Sequence, residues 1–120
     1  MFNRIALTVA VLGSFMLPQA AAAELKRIES KTEFVQLVQG KTLARPLVRL
    51  NVSPNGSITG RGATWDVTGS WTWQNGFFCR DLNWGGDDLG YNCQTVLANG
   101  SEMRFVADQG AGDSADFRLR

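Results

Sequence analysis

Asn75 and Gly76 separate two runs rich in aromatic and β-favouring residues, Gly69–Gln74 and Phe77–Leu82. An Asn-Gly pair is suited to a two-residue type I′ turn, which needs positive φ at both positions and matches the twist of antiparallel strands. The segment therefore predicts a β-hairpin. Its loop length also fixes the pairing, because a one-residue slip would exchange the two faces. Gln74 should face Phe77, Trp73 should face Phe78, Thr72 should face Cys79, and Trp71 should face Arg80. One face then carries Trp71, Trp73, Phe78 and Arg80; the other carries Thr72, Gln74, Phe77, Cys79 and Asp81. The pattern alone leaves open which face is interior.

The rest of the chain repeats this grammar of short runs and tight turns. Val48, Leu50 and Val52 alternate with Arg49 and Asn51, as a half-buried strand requires. Pro54-Asn55-Gly56 reads as a turn. Further strands are expected at Ser57–Arg61, Thr64–Thr68 running on through Gly69 to Gln74, Tyr91–Leu97, Met103–Ala107 and Ala115–Leu119, with a turn at Asn99-Gly100. One helix stands apart. Ser30-Lys31-Thr32-Glu33 fits a capping box, and Phe34, Leu37 and Val38 follow at helical spacing, with Gly40 placed to end it. The expected fold is mainly β: about seven strands in a small antiparallel meander that closes into a barrel, with one short helix, about residues 31–39, across one end. The thirteen glycines suit the bulges and corners of a small barrel.

The N-terminus carries a different pattern. Arg4 precedes an apolar run from Ile5 to Leu17, Pro18 ends it, and Ala21-Ala22-Ala23 provides small residues for cleavage. This reads as a secretory signal peptide over residues 1–23, with a single domain over residues 24–120. The run falls short of the ~20 residues a membrane-spanning helix needs, so no membrane span is expected after cleavage. Removal of Arg4 leaves acidic and basic residues equal in number. With no run of Lys or Arg in the sequence, neither a nucleic-acid partner nor binding to an anionic lipid surface is expected. Cys79 and Cys93 are the two cysteines, and an even count in an exported chain reads as a disulfide. Periplasmic or secreted localisation follows from these readings together.

Few residue types that carry chemistry are present. The chain has no histidine. Asp81, Asn83, Asp87 and Asp88 gather oxygen ligands within a short segment, but their spacing departs from a calcium-binding loop, and the segment reads as a polar surface loop tied by the cysteines. Gly110-Ala111-Gly112 lacks the strand–helix context of a dinucleotide site. Ser114 has no base to activate it. Neither a cofactor, a metal nor a catalytic residue is expected. The candidates for ligand contact are the aromatic face of Trp71, Trp73, Phe78 and Arg80, together with Asp87 and Asp88 between the cysteines. The opposing reading places those aromatics in the core, since each can bury ~150–250 Å².

Three segments, GKTLARPLVRL (Gly40–Leu50), WDVTGSWTWQNGFFCRDLNWGGDDLGYNC (Trp65–Cys93) and GDSADFRLR (Gly112–Arg120), resemble a group of small exported bacterial proteins of unassigned function. The resemblance implies a calycin-like β-barrel. Chains of this group are sometimes labelled dihydrodipicolinate reductase, an NADPH-dependent activity. Such an enzyme resembles a two-domain, nucleotide-binding protein with a glycine fingerprint and a histidine–lysine segment, and this chain has neither motif. The functional expectation is an exported, non-enzymatic barrel that binds a small ligand or an envelope partner. The alternatives are the labelled reductase, and a structural or inhibitory protein acting through protein–protein contact. Intact-mass analysis of protein recovered from the periplasm should show a chain beginning at Glu24 and lighter by two hydrogens than its reduced form. A mass that retains residues 1–23 would overturn the leader reading.

Overall fold

A computed structural model describes Thr8, residues 10–14 and residues 23–120. Most of the expected leader lies outside the described residues. Nine strands and one helix follow: β1 (Lys26–Arg27), α1 (Lys31–Val38), β2 (Leu43–Arg45), β3 (Val48–Val52), β4 (Ser57–Gly62), β5 (Trp65–Gln74), β6 (Phe77–Trp84), β7 (Asp87–Ala98), β8 (Glu102–Val106) and β9 (Ser114–Leu119). A single 3₁₀ turn, Asp108–Gly110, lies between the last two strands.

Strands β2 to β9 pair with their sequence neighbours, all antiparallel, and β9 returns to β2 through Leu43 opposite Leu119 and Ala44 opposite Arg118. The result is a closed eight-stranded up-and-down barrel. Closure removes the unpaired edges that an open sheet would expose. β1 pairs with the end of β7, at Ala98 and Leu97, beyond the point where β6 stops. The expectation of about seven strands missed β1 and the three-residue β2.

The Asn75-Gly76 hairpin has the expected register at all four positions. Both turn residues have positive φ, 51° and 82°. The pairing puts Trp71, Trp73, Phe78 and Arg80 on the interior side: Trp71 and Phe78 are buried, and Trp73 packs against the same cluster. The opposite face is exterior. Cys79 and Cys93 are directly opposed there on β6 and β7 and form a disulfide.

The segment between the cysteines departs from the expected surface loop. β6 runs on to Trp84 and β7 begins at Asp87, joined by Gly85-Gly86, whose φ values of 58° and 96° make a second two-residue turn. The disulfide therefore ties two adjacent strands of a long hairpin. On β4, Gly62 leaves room for the Trp84 indole, which any side chain at this position would strike.

The helix closes one end of the barrel. Ser30 Oγ accepts the Glu33 N–H at 3.2 Å, the expected cap. Phe34 and Val38 are the buried residues of α1, and Phe34 is fully buried. Its ring centroid lies 5.2 Å from Trp71, 5.2 Å from Trp73 and 5.1 Å from Phe78. Both indole N–H groups reach loop carbonyls: Trp71 donates to Ser53 at 2.8 Å and Trp73 to Glu29 at 3.2 Å. The second bond holds the segment leading into α1, so the aromatic cluster fixes the helix as well as filling the barrel.

Phe34→Ala should lower stability by about 3–5 kcal/mol, the usual loss for deleting a buried ring, measured by urea unfolding. Loss below about 1 kcal/mol would show that the helix does not plug the barrel.

Candidate functional site

With one end filled by Phe34, the other end is open. It is ringed by the turns β2–β3, β4–β5 and β6–β7 and by the β8–β9 loop. A cavity of about 210 Å³ opens there, inside the wall. An eight-stranded barrel has an interior just wide enough to be filled by side chains or to hold one small ligand. Here both happen, at opposite ends.

The cavity wall is mostly apolar, formed by Leu43, Leu50, Val52, Ile58, Phe78 and Phe117 among others. The polar members are Arg80, Gln94, Asp113 and Ser114. Arg80 and Gln94 are interior positions on β6 and β7, whereas Asp113 and Ser114 come from the rim where β9 begins. Ser114 thus stands at the cavity mouth.

Arg80 is the unusual member. It is partly buried, between Phe78 and Leu82 on the interior side of its strand. Its Nη1 donates to the Gly90 carbonyl at 2.8 Å. That carbonyl lies beside a bulge: Leu82 pairs with Gly90 but Asn83 pairs with Asp88, so Leu89 is left over. Bulges re-aim backbone groups at barrel rims. Burial lowers the Arg80 pKa, while the charge of Asp81 opposes the shift. Even so, the group stays cationic at neutral pH. Among the described residues no carboxylate lies within ion-pairing distance of it. A guanidinium has five N–H donors, so one carbonyl leaves most of its capacity free.

The sequence-derived candidates separate. Trp71, Trp73 and Phe78 pack on Phe34; of these, Phe78 also touches the cavity. Arg80 lines it. Asp87 and Asp88 are exposed at the base of the β6–β7 turn, on successive strand positions, and Asp88 Oδ1 accepts the Gly90 N–H at 2.8 Å. Among the described residues no three His, Cys, Asp or Glu side chains converge as a metal site would require. Sequence reasoning missed Gln94, Asp113 and the apolar wall from β2–β4 and β9. Gln94 follows from counting along β7 from the cysteine pair; the others come from barrel closure.

Asn92 adds a brace at the same rim. Its Nδ2 donates to Asp108 Oδ1 at 2.7 Å, and its Oδ1 accepts the Asp108 N–H at 3.0 Å. This two-way bond holds the β8–β9 loop, which leads through Asp113 into Ser114 at the start of β9, against β7.

The fold and the cavity define a closed antiparallel barrel with an amphipathic mouth. Comparison with protein-family models, curated proteins and solved structures finds no match. Among the described residues no helix is long and apolar enough to cross a membrane.

A partly desolvated, unpaired arginine is costly to the folded state. Arg80→Met keeps an unbranched apolar stem and removes the charged guanidinium, so it should raise the thermal midpoint by a few degrees. A clear fall would show that the Gly90 bond makes Arg80 structural.

Proposed function

We propose that this protein is an exported, non-enzymatic binding protein whose barrel mouth takes a small amphipathic anion. The apolar body of the ligand lies against Leu50, Val52, Ile58 and Phe117, and its acidic head, a carboxylate or similar group, meets Arg80. The observation that carries this reading is the unpaired Arg80 guanidinium beside an apolar cavity. Ligand sites are mostly apolar with a few placed polar groups that fix orientation. A bound carboxylate could accept paired N–H bonds from the guanidinium. Gln94 and Ser114 can donate further hydrogen bonds. At about 210 Å³ the cavity is below the ~300–1,000 Å³ of drug-sized sites, which favours a ligand of metabolite size.

The disulfide supports an oxidising compartment, periplasmic or extracellular. All barrel pairings are antiparallel, which supports a binding role over a nicotinamide-dependent reductase. A dinucleotide site of the usual kind is built on parallel βαβ units. The calycin-like resemblance agrees with a ligand held in a barrel mouth.

Three probes of equal chain length test the reading: hexanoate, hexanol and hexylamine, titrated into isotope-labelled protein and followed by amide shifts. Hexanoate should saturate, with shifts centred on Arg80, Gln94 and Ser114. Hexanol should bind at least tenfold more weakly, and Arg80→Met should erase that difference. Indifference to the head group would sink the proposal. Saturable NADPH binding, read by nicotinamide fluorescence, would replace it with the reductase reading.

A further inference from the structure

Five of the arginines, at positions 45, 49, 61, 118 and 120, are scattered along the chain, yet the barrel gathers them. Neighbouring strands place Arg118 opposite Ala44, Ala44 opposite Arg49, and Arg49 opposite Arg61. This row lies on the exterior side of β9, β2, β3 and β4. Ala44 sits in its middle, and its small side chain leaves a depression between the flanking arginines. Arg45 and Arg120 border the same concavity, a groove of about 780 Å³ on the outer wall. All five arginines are exposed.

The charge in this groove is poorly balanced by the protein itself. Two carboxylates line it, Glu102 and Asp116. Asp116 is already held by Arg104, through bonds of 2.6 and 2.9 Å, and that contact keeps its carboxyl below the usual carboxylate range. Glu102 stands opposite Arg118. Arg61 has Asp66 at 3.4 Å and donates to the Thr64 carbonyl at 2.9 Å. Among the described residues Arg45, Arg49 and Arg120 have no ion-pair partner. Like charges directly opposed across two strands are destabilising, and Arg49 with Arg61 is such a pair. Arginine presents a planar fork that suits phosphate oxygens.

A second feature lies at the edge of the groove. Leu47, at the tip of the β2–β3 turn, has φ 66° and is 81% exposed. A leucine in the left-handed region is a rare arrangement, and here it stands with Pro46 on the groove wall. The Leu47 carbonyl accepts the Ala63 N–H at 2.7 Å, which fixes the tip against the neighbouring turn. The groove thus has an apolar lip beside its charged floor.

We infer that this outer groove is a second binding site, for a phosphate-bearing anion of at least two negative charges, with Arg49, Arg61 and Arg118 as its ligands. It is independent of the mouth cavity and of Arg80. Phosphate of this kind comes either as a free phosphorylated molecule or as the head group of an anionic lipid, and the charged row meets the same chemistry in both.

Inorganic pyrophosphate is titrated into the labelled protein, and the protein is separately sedimented with vesicles of phosphatidylglycerol and phosphatidylcholine, and of phosphatidylcholine alone. The expected result is saturable pyrophosphate binding, with shifts on β2–β4 and β9, weakened by added salt. The paired variant Arg49→Gln with Arg118→Gln should weaken it at least tenfold. Its thermal midpoint should hold or rise, because a like-charge contact has been removed. Binding to anionic vesicles without binding to pyrophosphate also supports the site and assigns the source to lipid, provided that the variant abolishes it. The proposal is overturned if neither probe binds, if the variant binds as tightly as the parent, or if neutral vesicles bind equally. Should the double variant fail to fold, Arg49→Gln alone serves, with at least a threefold loss expected.

Discussion

Phe34 does for this barrel what its strands cannot do for themselves. A sheet closed on itself has no exposed edge, but it has two ends, and each end leads to apolar side chains. The helix spends its apolar stripe on one of them. Trp71, Trp73 and Phe78 surround the inserted ring, and the indole N–H groups then secure the backbone on either side of it. The pocket at the open end depends on this asymmetry. A barrel sealed at one end and unfilled at the other has a pocket with a floor; a barrel unsealed at both would have a leaky channel through its core.

Polarity follows the same division. Near the helix the interior side chains are aromatic or aliphatic, and they meet one another. Moving along β6 toward the open end, the interior position after Phe78 is Arg80, and across from it on β7 stands Asn92. The switch occurs within one strand step. Asn92 is absorbed by its two bonds to Asp108, whereas Arg80 keeps most of its donors uncommitted. The protein thus satisfies one polar rim group and leaves its neighbour available.

Local chemistry was legible in the sequence, and long-range assembly was not. Asn75-Gly76 revealed a hairpin and its register because a two-residue turn permits little else. Ser30 and Glu33 marked the helix start because the cap lies within one turn. Gly85-Gly86 carried the same kind of signal but was hidden by flanking aspartates, which made residues 81–90 look like a loop. β2 has three residues and exists because β3 and β9 flank it, so no local pattern could announce it. The interior aromatics could be grouped on one face, but only closure decides that this face is inward. The arginine row lay further out of reach: its members are up to 69 positions apart, from Arg49 to Arg118, and only successive pairings bring them side by side.

The seam between β2 and β9 has a kinetic consequence. Leu43 and Leu119 meet across nearly the whole described domain, whereas β5, β6 and β7 are joined by two-residue turns. Non-local contacts repay their loop-closure entropy only after the intervening chain is ordered. The central hairpins can therefore form while the barrel is still an open, curled sheet, and the seam closes last. Until it does, the exposed margins of β2 and β9 are sites at which a second chain could pair. The step most vulnerable to aggregation is thus the final one, and it is confined to a few residues on either side of Leu43.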